Sequence, residues 1–372
     1  MSHSLRHLET QETEYQVTYQ ALIRNLKRRK GFGLLFVRCT PAQGEEIIPQ
    51  MQQDVRNKTI EVLRLEEAKE NLFDIISEIQ SRQKLDVLII TGIEKSFVEY
   101  IKPGIGGQGN YYKEDTVPRI LGHLNLERER FRDELKVCLV FFVPRFALKY
   151  FVRRAPDFFD WRSGVFEFLT QKDCLERENS QFLAEGYTEH IKLTAQERIA
   201  KIFAIQELIE EEGQTPEQKA DLCLEQGKVY AAAGEYEEAI VFYERATAIN
   251  PDSYQAWSFQ GLALEILGRL EEAIAAYQRA IEIKPDKDEA WTNLGAALAN
   301  LGRFEEALTC SERAIQIKPD NHYAWDSRGC ILFKLGRLEE AIASWERAIQ
   351  IQPDYYNTWY NKAGYYASQT KV

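Results

Sequence analysis

The stretch AWSFQGLALEILGRLEEAIAAYQRAIEIKPD, residues 256–286, returns at a shift of 34 residues as AWTNLGAALANLGRFEEALTCSERAIQIKPD (290–320). The same shift again gives AWDSRGCILFKLGRLEEAIASWERAIQIQPD (324–354). A Pro-Asp pair stands at 251–252, 285–286, 319–320 and 353–354. Self-similarity at a fixed period of this size marks a stacked-repeat architecture. Each copy reads as an antiparallel helix pair that cannot bury its apolar face alone, so neighbouring copies stack into a superhelix. The small residues at fixed positions are then packing devices rather than chemistry.

Trp257, Trp291 and Trp325 open the first helix of each copy, and Gly261, Gly295 and Gly329 follow four residues later, where helices approach closely. Ala273, Ala307 and Ala341 sit at the helix crossing, and Ala280, Ala314 and Ala348 face the next copy. This pattern resembles the tetratricopeptide repeat. A less regular unit, ADLCLEQGKVYAAAGEYEEAIVFYERATAINPD (220–252), fits the same frame with Gly227, Ala239, Ala246 and Pro251, and has Cys223 where the tryptophan belongs. A terminal repeat packs on one repeat neighbour, which accounts for its irregularity.

The resemblance implies an all-α superhelix whose concave groove, lined by the first helix of each pair, binds a peptide or protein. The residues expected in that groove are Lys228, Gln255, Ser258, Phe259, Leu262, Glu265, Glu289, Thr292, Asn293, Ala296, Asn300, Tyr323, Asp326, Cys330, Phe333 and Lys334. Some members of the family clamp a C-terminal carboxylate with paired Lys/Arg and Asn. Here those positions hold Leu224 with Lys228, Ser258 and Phe259, and Glu289 with Asn293, so the clamp is absent. A mixed polar and aromatic groove suits an extended or helical peptide with some positive charge. The segment DYYNTWYNKAGYYASQTKV (354–372) supplies one more first helix, with Trp359 in register and Tyr355, Tyr356, Tyr360, Tyr365 and Tyr366 around it. It reads as a capping helix. The alternatives are an interaction surface that permits self-association, or a natural chain that continues.

Upstream the pattern changes. GFGLLFVRCT (31–40), TIEVLRL (59–65), DVLIITGI (86–93), KVCLVFFVP (136–144) and GVFEFLT (164–170) are short apolar, β-branched runs. Helix-like segments lie between them, a further helix is expected from about Tyr15 to Lys30, and residues 194–218 read as a helical connector. Apolar strands alternating with amphipathic helices predict an open, mostly parallel α/β sheet covered on both faces. The expected domains are 1–193, the connector 194–218, and the repeats 219–372.

The strand and turn in VRCTPAQGEEI (37–47) stand where a phosphate-binding loop would stand. With DVLIITGIE and with Arg145 just past VCLVFFVP, the order of features resembles the P-loop NTPases of the signalling type (STAND/AAA) that carry repeat arrays. That resemblance implies a nucleotide site at Gly44, Thr91 and Arg145. The side chains oppose it. A working loop reads G-x-x-x-x-G-K-[ST], whereas Cys39–Glu46 reads C-T-P-A-Q-G-E-E. Glu45 replaces the phosphate-neutralising lysine and Glu46 the magnesium-holding hydroxyl. A carboxylate a few ångströms from a triphosphate repels it by several kcal/mol at intermediate dielectric, whereas glutamates in the first turn of a helix complement its dipole. On the next strand Thr91 stands where the metal-binding acid is expected, and only Glu94, beyond the strand end, could substitute. The domain reads as a degenerate copy with no cofactor and no turnover, ATP or ADP binding being the alternative.

GIGGQG (104–109) satisfies G-x-G-x-x-G but lacks the strand before and the helix after that a dinucleotide fingerprint requires, so it reads as a loop. In RRAPDFFDWRSGVFEF, Phe158, Phe159 and Trp161 are expected to pack at a strand entry, with Arg153, Arg154 and Arg162 pairing with local acids.

The net charge is −11, of which the 16 Lys+Arg and 23 Asp+Glu of residues 219–372 contribute −7. That balance argues against nucleic acid or an anionic membrane as the main partner. The first fifteen residues hold no apolar core of a secretory signal, and no apolar run is long enough to span a bilayer. The six cysteines are scattered without metal or disulfide spacing, which suits reduced thiols in a cytoplasmic protein. No Ser/His/Asp, Cys/His or paired-carboxylate arrangement can be assembled for catalysis. The expectation is an intracellular, non-enzymatic adaptor; the alternative is a nucleotide-controlled switch.

Overall fold

The computed structural model describes residues 2–97, 100, 117–168, 172–184, 186–211 and 213–369. The chain divides into two compact units at Gln218/Lys219. The glycine-rich segment 104–109 and residues 370–372 lie outside the described residues.

In the first unit, α1 (Ser2–Arg28) leads into β1 (Gly33–Arg38), α2 (Pro41–Asp54), β2 (Ile60–Arg64), α3 (Leu72–Arg82) and β3 (Val87–Thr91). There follow α4 (Arg119–Leu126), α5 (Arg128–Glu134), β4 (Cys138–Val143), α6 (Arg145–Arg154), α7 (Pro156–Asp160) and β5 (Gly164–Glu167). The five strands pair in parallel in the order β2-β3-β4-β1-β5. β1 and β4 are buried along their whole length, which is why they read as unbroken apolar runs, while the edge strands β2 and β5 are half-buried.

Pleating sends alternate residues of β1 to opposite faces. Leu35 and Val37 meet Leu22 and Leu26 of α1 and Ile47 and Met51 of α2. Leu34 and Phe36 meet α3, α4, α6 and α7 through Phe73, Leu124, Phe151 and Phe158. Phe36 is fully buried, with ring centroids 5.3, 5.0 and 4.9 Å from Phe141, Phe151 and Phe159. Truncating a side chain so placed costs about 3–5 kcal/mol. Phe158 and Phe159 are core residues, Trp161 packs on that core, and Arg162 pairs with Asp160 at 3.4 Å.

Three element boundaries differ from those read in the sequence. α1 begins at Ser2 rather than near Tyr15. The run before β5 breaks at Ala155, where Pro156 starts α7 because its missing N–H costs nothing at a helix start. The largest difference is at α2, which begins at Pro41, directly after a two-residue link. Thr40 caps it in a reciprocal capping box with Gln43, so the expected turn up to Gly44 is already helix.

Beyond β5, α8 (Lys172–Leu183), α9 (Tyr187–Lys192) and α10 (Ala195–Glu210) complete the first unit. Thr194 and Glu197 form a second capping box at the start of α10. Phe203 of α10 stacks on Phe146, centroids 5.4 Å apart, so the segment expected as a connector packs into the α/β core.

Among the described residues the second unit holds helices and no strand: α11 (Pro216–Ala232, which starts just before the boundary), α12 (Tyr236–Ile249), α13 (Tyr254–Ile266), α14 (Leu270–Ile283), α15 (Asp288–Asn300), α16 (Phe304–Ile317), α17 (His322–Lys334), α18 (Leu338–Ile351) and α19 (Tyr356–Gln369). The tight turn inside each helix pair is made by Gly234, Gly268, Gly302 and Gly336, all at positive φ. Trp257, Trp291, Trp325 and Trp359 each donate the indole N–H to the carbonyl of the proline six residues earlier, at 2.9–3.0 Å. The tryptophan that opens each first helix thereby pins the turn between neighbouring pairs.

Candidate functional site

Two concave regions are built from the sequence-expected residues, one in each unit. In the repeats, a cavity of about 640 Å³ lies between α15 and α17, with Phe304 and Tyr355 at its margins. Glu289, Thr292, Asn293, Ala296, Asn300, Tyr323, Asp326, Cys330 and Lys334 of the expected groove line it together. Helix spacing explains this, because residues three and four apart share a face. Lys228, Gln255, Ser258, Phe259, Leu262, Glu265 and Phe333 are not among its lining residues. Phe259 instead stacks on Tyr243 at 6.0 Å, and Phe333 lies against Trp345 at 6.1 Å. Lys228 pairs with the buried Glu225 at 3.2 Å. Gln255 and Leu262 are exposed and Ser258 half-buried.

Several groove polar groups are tied between successive repeats. Glu265 accepts from Asn300 at 3.1 Å and from Tyr277 at 3.0 Å. Asp326 accepts from Asn361 at 3.2 Å, and Asn321 donates to Asp288 at 2.8 Å. Burial raises the Glu265 and Asp326 carboxyls, with these bonds acting in the opposite direction. Asn321, Tyr355 and Phe304 were missed in the sequence because they belong to a helix cap, a turn and a second helix, off the face used to choose the groove.

In the first unit, β1 and β4 are neighbours whose following helices cover opposite faces of the sheet: α2 joins the core with α1, and α6 joins the other. Such a switch point opens a crevice at the carboxyl ends of the strands, the usual ligand site of open α/β sheets. A cavity of about 280 Å³ lies there, lined by Gly44, Glu45, Arg64, Thr91, Glu94 and residues 142–144 among others. Arg145, the first residue of α6, lines an adjoining cavity, and its guanidinium reaches the Glu210 carbonyl at 3.5 Å.

Phosphate cradles are made of free backbone N–H groups. Here those groups are spent. Cys39 N–H goes to Val143 O (3.3 Å), Thr40 N–H to Gln43 Oε1 (3.2 Å), Gln43 N–H to Thr40 Oγ1 (3.3 Å) and Gly44 N–H to Thr40 O (3.0 Å). Pro41 has none, and Ala42 N–H goes to Glu178 Oε1 of α8 at 3.3 Å. Burial raises the Glu178 carboxyl, opposed by its bonds to Thr40 and Ala42. Glu45 makes a two-pronged pair with Arg64, one contact 2.9 Å long, and Glu46 pairs with Arg177. Thr91 is half-buried, and its carbonyl accepts the Leu65 N–H at 2.9 Å. Glu178 lies 136 residues from Ala42, and no local sequence signal announces it.

Among the described residues, no three His, Cys, Asp or Glu side chains are placed to hold a metal ion. Cys39, Cys138, Cys223, Cys310 and Cys330 are not joined in disulfides. No described helix is long and apolar enough to cross a membrane.

Comparison with known proteins bears on the second unit. Residues 261–302 match a TPR repeat family, and residues 220–253 and 294–357 match tetratricopeptide repeat families. The chain is similar to the crystal structure of MamA protein, with 22% identity over 49% of this chain and 96% of that one, at a TM-score of 0.40. It is likewise similar to YrrB, described as a TPR protein with an unusual peptide-binding site. There the identity is 23% over 48% of this chain and 99% of that one, with a TM-score of 0.39. No curated protein matches the chain. Residues 220–253 and 261–357 therefore carry tetratricopeptide repeats.

Proposed function

We propose that the chain is an intracellular adaptor that binds a peptide or protein partner in the groove of its repeats. Its α/β unit is then a degenerate relative of the P-loop NTPases that turns over no nucleotide. The observation that carries this reading is the cavity of about 640 Å³ that gathers Asn293, Asp326, Tyr323 and Lys334 within the tetratricopeptide repeats. Such repeats mediate protein–protein interaction and peptide binding. Glu289 and Asp326 beside aromatic Tyr323 and Tyr355 suit a peptide that carries basic side chains. Affinity capture with residues 219–372 tests the reading: it recovers a partner that the full chain also retains. Recovery of that partner by residues 1–218 alone would place binding elsewhere.

A second reading, a nucleotide-controlled switch, draws support from the cavity beside Gly44 and from Arg145 in the adjoining one. Calorimetric titration with ATP, ADP and GTP, with and without magnesium, separates the two. The adaptor reading expects no binding tighter than about 100 μM, roughly −5.5 kcal/mol. Tighter binding that disappears in Arg145→Ala favours the switch.

A further inference from the structure

The adjoining cavity in the first unit has a volume of about 460 Å³ and lies against the carboxyl ends of β1 and β4. Its walls are apolar where Phe146, Phe182, Phe203 and Leu208 meet. An apolar hollow with a few converging polar groups is the general form of a small-molecule site. Its polar groups are mostly acidic: Glu45, Glu94, Glu178, Glu207 and Glu211 line it, facing Lys95 and Arg145. Four of these acids are already engaged. Glu45 is held by Arg64, Glu178 by the Ala42 N–H, Glu211 by Arg38 at 2.5 Å, and Glu207 by the Arg145 backbone N–H.

Glu94 differs. Its Oε2 is buried and has no hydrogen-bond partner, and the residue lines both this cavity and the smaller one beside Gly44. A buried carboxyl oxygen left without a donor costs about as much as a lost hydrogen bond, so such a group calls for an explanation. A bound donor supplies one. Metal chemistry does not, because no three acidic or other ligating side chains converge among the described residues. A phosphate would meet an excess of carboxylates and no free N–H between Cys39 and Gly44.

The geometry points to this cavity as the site of a small organic cation, a primary ammonium or guanidinium on an apolar body, with the cationic group donating to Glu94 and the body lying on Phe146, Phe182 and Phe203. Every residue lining the site belongs to the first unit.

The probes are hexylammonium, hexanol, hexanoate and magnesium-ATP, titrated calorimetrically into the full chain and followed by thermal shift. Hexylammonium is expected to bind with a Kd on the order of 1 mM or below, at least tenfold tighter than hexanol, with hexanoate and ATP weaker still. Glu94→Gln removes the ionisable carboxyl at constant size, and is expected to bring hexylammonium within about threefold of hexanol. Ala204→Phe, on the cavity wall, is expected to abolish both. Hexylammonium binding that survives Glu94→Gln unchanged would overturn the proposal. So would hexanoate or ATP binding more tightly than the amine, or no probe binding below about 10 mM.

Discussion

The Glu178 carboxylate accepts a hydrogen bond from the Ala42 N–H at 3.3 Å, so a side chain of α8 fills the head of α2 where an anionic ligand would sit. Glu178→Ala leaves that N–H without its partner and is expected to cost about 1–3 kcal/mol in urea denaturation. Glu178→Gln keeps an acceptor and is expected to cost less. If the carboxylate stands in for an anion, sulfate will raise the Tm of Glu178→Ala more than that of the wild type. Equal shifts in the two proteins would contradict this.

A pH prediction rests on Glu207, whose carboxyl is pushed up to about 7, chiefly by burial and then by Glu210, with Lys149 and the Arg145 N–H opposing. The folded chain keeps this proton at pH values where the unfolded chain, near the ordinary 4.5, has released it. This group therefore makes stability fall as pH rises from 4.5 towards 7. Glu207→Gln removes that loss. Its stability relative to wild type is expected to be near zero at pH 4.5 and to rise to about 3 kcal/mol by pH 8, as denaturant titrations at several pH values would read.

The repeats are alike in sequence but not in tolerance. A methyl group added at Gly261 would stand 2.7 Å from the Tyr277 ring, whereas at Gly295 the nearest atom is the Ala307 carbonyl oxygen at 3.3 Å. The difference arises sixteen residues downstream, where the aromatic Tyr277 of one pair is replaced by the buried Ser311 of the next. Gly261→Ala is expected to destabilise by about 1–3 kcal/mol through overpacking. Gly295→Ala is expected to change stability by less than about 1 kcal/mol, since the helix gains what the tight contact loses. Thermal unfolding of the two variants side by side checks the ranking.

Sheet and repeats were legible in the sequence because both are written in local pattern. The buried strands are contiguous apolar runs and the repeats keep a 34-residue period, and the strand limits differ by only a few residues at each end. The start of α2 was legible in principle, since Thr40-Pro41 followed by Gln43 is a capping signature. The glycine at 44, in the place a phosphate loop would put one, competes with that signature. Glu178 and Glu94 were not legible as parts of one region, because only the folded chain brings α8 and the end of β3 to the head of α2. In the groove, the helical period puts Asn293 and Asp326 on the inward face of their helices, and both line the cavity. It could not tell that Phe259 and Phe333 turn towards aromatic neighbours of the second helices.

Whether the proposed partner sits in the groove between α15 and α17 is read from one pair of dissociation constants. A peptide selected on the full chain is labelled, and its affinity is measured by fluorescence anisotropy for wild type and for Ala296→Arg, which puts a long cationic side chain on the cavity wall. The expected result is a selected peptide with basic side chains and a loss of affinity of at least about thirtyfold, roughly 2 kcal/mol. Equal affinity for the two proteins would contradict it.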